Sequence, residues 1–268
     1  MPIADLPLCR TQEQVEEALA KPIAYALAPD LYWRSRILSA FARSGWRALL
    51  GLWRTSRQRQ RDRQFAGNFC QSRGIELLWS HGDRRTGFEL LLFAWAERVY
   101  FVPLGSNDAR DWWSNITDPR VGETSYRANQ SAIERAFAIA AAREPTEYVA
   151  IGHSLGGALA QYLAHDWATV ARCVTFQTAA IPPDWVDRIA ADSSDRTLYR
   201  HYLHRGDLVY PLSRRRSRGG LAAGDVVAVG ERKRGVHRAL ERRKAHLAML
   251  TIDAEASHST QHLNTETV

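Results

Sequence analysis

An α/β fold with a mostly parallel central sheet, flanked by helices, is what this sequence predicts. Three observations carry it. Strand-like apolar runs alternate with helix-like runs through the second half of the chain. A Gly-x-Ser-x-Gly segment, Gly152 to Gly156, joins one such strand to one such helix. The first third, residues 1–72, reads as helical and precedes a strand-rich core over residues 73–268.

Composition removes several other classes. At 268 residues, 45% hydrophobic and 24% charged, the chain is long enough to bury a sizeable core and ordinary for a globular protein. No stretch approaches the uncharged apolar run a membrane-spanning helix needs. Met1 to Thr11 lacks the basic region and apolar run of a secretory signal, so the expectation is a cytoplasmic protein, or one exported without a cleaved signal peptide. Cys9, Cys70 and Cys173 form neither a disulfide framework nor a metal-ligand spacing. The net charge is +7, and of 36 basic residues only Lys21, Lys233 and Lys244 are lysine. Guanidinium pairs bidentately with phosphate, so the balance favours anionic partners.

Taken in order, Gln12 to Leu19 reads as a helix capped by Thr11. Leu31 to Trp53 mixes Trp, Leu and Arg, with Gly45 and Gly51 weakening it as one straight helix. Arg54 to Arg63 is an arginine-rich run. Ile75 to Trp79 and Phe88 to Ala94 flank the polar turn Gly82 to Gly87 and read as a hairpin, with a third strand over Val99 to Val102. Ser131 to Ala142 reads as a helix, Tyr148 to Ile151 as a strand and Gly156 to Val170 as a helix. Strands follow at Cys173 to Phe176, Leu198 to Leu203 and Asp225 to Val229. Val236 to Ala254 reads as a final helix.

The chemistry centres on Gly152-His153-Ser154-Leu155-Gly156-Gly157. A serine at a strand-to-helix turn this tight needs glycine two residues to either side, because side chains there would clash. Such a turn presents the serine hydroxyl at the top of the sheet. The backbone N–H of Leu155 is then aimed where an oxyanion would form. A serine nucleophile further needs a base and a carboxylate that orients it.

Gly152 to Gly157 resembles the nucleophile elbow of the class 3 lipases, the fungal triacylglycerol lipase group within the α/β-hydrolases. Further landmarks fall in that family's order, from residue 75 to residue 263. Pro103-Leu104-Gly105-Ser106 stands where the family reads Phe-Arg-Gly-Thr or Phe-Arg-Gly-Ser, and the resemblance makes Ser106 a second oxyanion donor. Trp112 and Trp113 stand where the family keeps its lid. Thr175-Phe176-Gln177 matches a Thr-Phe-Gly strand end without its glycine. Tyr199 to Leu212 resembles the strand that ends Asn-Asp-x-Val-Pro-x-Leu-Pro, which places Asp207 on the triad acid. Asp184, Asp187, Asp192 and Asp195 have no matching strand. The candidates after Asp207 are His237, His246, His258 and His262; His258 fits the family's C-terminal histidine, with His246 the next alternative, while His201 and His204 precede the acid and read as strand residues.

The resemblance implies hydrolysis of lipid carboxylic esters, of lipase or phospholipase A type, through an acyl-enzyme and without metal or organic cofactor. The arginine-rich segments suit peripheral contact with an anionic membrane, and nucleic acid is not expected. Two other readings stay open: an esterase on small soluble esters, and an anion-binding protein without catalysis.

Overall fold

A computed structural model describes residues 11–28, 47–105, 119–192, 197–204 and 209–229, with backbone alone for residues 22 and 47–59. Helix α1 (Gln12–Ala18) begins at a reciprocal capping box. Thr11 Oγ accepts from the Gln14 N–H, and Gln14 Oε1 accepts from the Thr11 N–H. Pro22 carries no N–H and cannot continue an α-helical ladder. The chain here forms a π-helical segment, Leu19–Ile23, before α2 (Ala24–Leu27). Helix α3 (Arg47–Ser72) runs through Gly51 and absorbs the whole Arg54 to Arg63 run. The break expected near Gly51 is absent, since one glycine costs only about 1 kcal/mol in a helix of this length.

The sheet has seven strands in consecutive order: β1 (Glu76–Asp83), β2 (Phe88–Trp95), β3 (Arg98–Pro103), β4 (Glu147–His153), β5 (Val170–Phe176), β6 (Leu198–His204) and β7 (Asp225–Val229). The first three pair antiparallel and β3 to β7 run parallel. The β1–β2 turn is closed by Asp83, whose carboxylate accepts from the Thr86 hydroxyl at 2.5 Å, with Gly87 at φ 70°. The crossovers carry α4 (Glu123–Ala128), α5 (Gln130–Ala141), α6 (Leu155–Asp166), α7 (Pro183–Ala191) and α8 (Val209–Ser217). Helix α6 ends at Asp166 rather than reaching Val170, because Val170 already opens β5. Val209 to Leu212 is helical, not the continuation of a strand.

Consecutive strand order has a physical consequence. Right-handed crossovers that always step the same way lay their helices on one face of the sheet. On that face Leu90, Leu92, Phe101 and Ala150 pack with Phe137, Leu159, Tyr162 and Trp185. The other face would be bare, and a parallel sheet is stable only with both faces covered. Val15, Leu19, Ile23, Ala66 and Phe69 of the N-terminal helices cover it, packing on Leu91, Phe93, Tyr100, Val149 and Val174. An ion-pair chain ties the layers at their edge. Arg172 of β5 grips Glu16 of α1 with both terminal nitrogens (2.7 and 3.2 Å) and reaches Glu147, which also binds Arg98. No described helix is long and apolar enough to cross a membrane.

Candidate active site

Strand β4 stops at His153 and α6 starts at Leu155, so Ser154 is the single residue that makes the turn. Its backbone sits at φ 57°, ψ −125°, a region that L-residues avoid and that persists only where the surroundings hold it. Those surroundings are visible. The Ser154 N–H donates to the Phe176 carbonyl, while the Ser154 carbonyl accepts from the N–H groups of Gly157 and Ala179, both at 3.0 Å. The elbow is thereby fixed to the end of β5 and the loop after it.

The glycines do what the turn demands. A Cβ on Gly152 would fall onto the Gly156 carbonyl and within 2.7 Å of the Gly157 nitrogen. One on Gly156 would strike the Pro103 carbonyl and come within 2.9 Å of the Leu104 carbonyl carbon. The elbow therefore rests directly on the chain leaving β3, the segment that the family resemblance assigns to the oxyanion hole. That segment is itself held, with the Leu104 N–H donating to the Glu89 carbonyl on β2.

Ser154 is 5% exposed, and among the described residues its Oγ has no hydrogen-bond partner. An alcohol buried without a partner costs free energy. Leu155 is the first residue of α6, so its N–H has no intrahelical acceptor and lies at the positive end of the helix.

The structure places Gly152, Ser154, Leu155 and Gly156 together at the turn between β4 and α6. Ser106, Trp112, Trp113, Asp207, His246 and His258 lie outside the described residues. Strand β6, which leads towards Asp207, ends at His204, at the same edge of the parallel sheet as Ser154. Asp184 and Asp192 are partly exposed and engaged in ion pairs, Asp184 with Arg120 and Arg188, Asp192 with His165. His201 is fully buried, its Nε2 donating to the Ala222 carbonyl and its Nδ1 accepting from the Thr175 hydroxyl. Burial pushes its pKa down to about 4, so it is a neutral tie between strands rather than a base for Ser154.

Three features escaped the sequence. Tyr25, on α2, puts its hydroxyl 2.9 Å from the point that a Gly105 Cβ would occupy, and that same point lies 3.4 Å from Ser154 Cβ. Nothing in the spacing of Tyr25 from the elbow signals this approach, which depends on the N-terminal helices folding over the sheet. Gln177 occupies the left-handed region at φ 49°, taking the conformation that the absent glycine would have offered. Its Oε1 accepts from His153 Nε2 at 2.9 Å, which steadies the residue before the serine. Among the described residues no group of three or more His, Cys, Asp or Glu side chains could hold a metal ion.

No protein-family model matches the chain. Among solved structures it resembles lipase II from Rhizopus niveus, with TM-score 0.53 at 17% identity over 83% of each chain. It also resembles the lipase of Rhizopus microsporus var. chinensis, with TM-score 0.51 at 17% identity over 84% of this chain and 77% of that one. A third is the Rhizomucor miehei lipase propeptide complex, with TM-score 0.52 at 15% identity over 83% and 70%. The chain thus has the α/β-hydrolase fold of the fungal lipases. A curated protein, the extracellular phospholipase A1 of Serratia liquefaciens, is 33% identical over 110 residues. That match spans 41% of this chain and 33% of the length of the phospholipase.

Proposed function

We propose that this protein hydrolyses carboxylic esters of lipids with Ser154 as nucleophile. The observation that carries the reading is the backbone of Ser154, held at positive φ between β4 and α6, with a buried Oγ that has no hydrogen-bond partner among the described residues. The likenesses to fungal lipases and to a phospholipase A1 support the substrate class.

In this reading His258 removes the Ser154 proton as Oγ attacks the ester carbonyl, and Asp207 holds the imidazole and stabilises its charged form. The N–H groups of Leu155 and Ser106 bind the oxyanion. The imidazolium protonates the departing alcohol, leaving an acyl-serine. Water, deprotonated by the same histidine, then releases the fatty acid and restores Ser154. His246 is the other candidate for the base. Trp112 and Trp113 serve as an apolar flap that opens at a lipid surface, where indole is favourably placed. The arginine-rich segments give peripheral contact with anionic membrane, which turns the preference towards phospholipid.

Mass spectrometry of products from mixed vesicles of anionic and zwitterionic phospholipid, triglyceride and short esters tests this, with wild type and Ser154→Ala side by side. Fatty acid and lysophospholipid that vanish in the variant are expected. Release from triglyceride or short esters alone would make the protein a lipase or esterase. Release that persists in Ser154→Ala would remove Ser154 from the mechanism.

A further inference from the structure

We propose that the exposed arginines at the end of α8 (Arg214, Arg215, Arg216 and Arg218) form a headgroup-binding rim that sets the Ser154 end of the sheet onto an anionic phospholipid bilayer. This deepens the reading above and rests on it.

The first argument is position. Helix α8 follows β6 at the carboxyl end of the parallel strands, the end that carries Ser154. Its inward residues are Val209, Ser213 and Ser217. Ser213 Oγ accepts from the Ala180 N–H and donates to the Val209 carbonyl, both at 2.8 Å. Just beyond the helix, Gly220 exchanges both backbone hydrogen bonds with Ile181. The segment held at these two points, 179–181, is the one whose Ala179 N–H binds the Ser154 carbonyl. One short loop therefore anchors the nucleophile on one side and the arginine helix on the other. A surface gripped through α8 fixes the orientation of the elbow as well.

The second argument is charge. Several exposed arginines elsewhere have carboxylate partners: Arg120 and Arg188 pair with Asp184, Arg143 with Glu76, Arg200 with Asp225. The exposed Arg84, Arg85 and Arg135 have none among the described residues, but they are not gathered on one helix end. Arg214, Arg215, Arg216 and Arg218 are exposed and make no ion pair with any described residue. A single cation in the last turn would satisfy the helix dipole, so the cluster exceeds what the helix needs. Arg218 also sits at φ 56°, in the left-handed region, although Gly219 follows immediately. Gly219 is excluded from any larger side chain by the Ile181 carbonyl, so the chain places an arginine, not a glycine, on the strained cap.

The third argument selects the partner. The run Arg214-Arg215-Arg216-Ser217-Arg218 has no aromatic side chain within it to stack on a base. Lipid phosphates in a plane offer many anions at once to a basic rim, and each arginine near such a surface adds about fivefold in binding.

The test is flotation of the full chain, carrying Ser154→Ala so that no lipid is consumed, with vesicles of phosphatidylcholine alone or mixed with phosphatidylglycerol. Binding to the mixed vesicles is expected to exceed binding to phosphatidylcholine, to weaken with salt, and to fall about a hundredfold or more in Arg214→Gln/Arg215→Gln/Arg218→Gln. The corresponding triple lysine variant, which keeps the charge, is expected to retain most of it, and thermal melts of both variants check that the fold persists. Undiminished binding by a folded triple glutamine variant would overturn the proposal. So would equal binding to both vesicle types, or duplex DNA displacing the vesicles at lower concentration. Because the readout needs no turnover, failure of the rim is distinct from failure of the esterase reading.

Discussion

Gly156 lies against the backbone of Leu104: a Cβ on the glycine would stand 2.9 Å from the Leu104 carbonyl carbon and would overlap the Pro103 carbonyl. Two segments separated by some fifty residues are thus pressed into contact by the absence of one carbon. The contact sets the first turn of α6, whose leading N–H belongs to Leu155, beside the chain that continues into Ser106. Both oxyanion donors of the proposed mechanism are carried by this one packing contact.

Gly156→Ala is therefore expected to lower kcat by about a hundredfold or more, the scale of one displaced oxyanion donor. The new methyl must push β3 and α6 apart, so the melting temperature is expected to drop as well. Esterase assays and thermal melts on the purified variant check both. An alanine variant with wild-type kcat would show that the contact does not govern the geometry of the elbow.

Gly105→Ala probes the neighbouring surface. Its Cβ would come within 2.8 Å of the His153 carbonyl and 2.9 Å of the Tyr25 hydroxyl. The tyrosine tip can swing aside but the carbonyl belongs to the elbow, so the strain passes to the serine. The expected result is a loss of kcat larger than the loss of stability. Adding Tyr25→Phe removes the hydroxyl and is expected to recover part of the lost stability but little of the activity, because the clash with His153 remains. Kinetics of the single and double variants give the comparison directly.

These positions also show which parts of the molecule could be read from sequence. The Gly-x-Ser-x-Gly turn was legible because steric exclusion at Gly152 and Gly156 is local to the pentapeptide. The hairpin and the alternating strands were legible from turn residues and apolar periodicity. Helix α8 was not: Val209-Tyr210-Pro211-Leu212 is apolar enough to extend a strand, and only the inward spacing of Val209, Ser213 and Ser217 declares the helix. The role of the N-terminal helices was also hidden. That they cover a sheet face follows from the consecutive strand order, a property of topology that no single segment encodes.

The bond between that cover and the sheet can be tested at Arg172. Its guanidinium holds the fully buried Glu16 carboxylate of α1 from β5. Removing either partner leaves the other charge in a poorly solvated place, which costs about 3–5 kcal/mol. Glu16→Ala and Arg172→Ala are each expected to lower stability by that order, and Glu16→Ala/Arg172→Ala together by less than the sum of the two. Urea unfolding of the three variants measures the coupling. Additive losses would mean that the pair does not fasten the helix layer.

Two buried ionisable groups set the pH window of the fold from opposite sides. His201, with its pKa pushed down to about 4 by burial, stays neutral while an unfolded histidine charges near pH 6.5. Its contribution is complete above about pH 6.5 and is lost as pH falls towards 4, up to about 3 kcal/mol. Glu89 acts the other way. Burial raises its carboxyl to about 8, and among the described residues its Oε2 has no partner. It folds best protonated, so its contribution is complete below about pH 4.5 and is lost as pH rises through 8, by several kcal/mol. Glu89→Gln keeps the shape without the charge. The variant is expected to lie close to wild type near pH 5 and to be markedly more stable near pH 8, because it lacks the decline that Glu89 imposes as pH rises. Denaturant titrations at the two pH values decide it, because a parallel decline in both proteins would place the alkaline loss on some other group. Since the Glu89 carbonyl also holds the Leu104 N–H, the carboxylate that forms at high pH sits on the residue anchoring the oxyanion segment. Activity in Glu89→Gln is accordingly expected to persist to higher pH than in wild type.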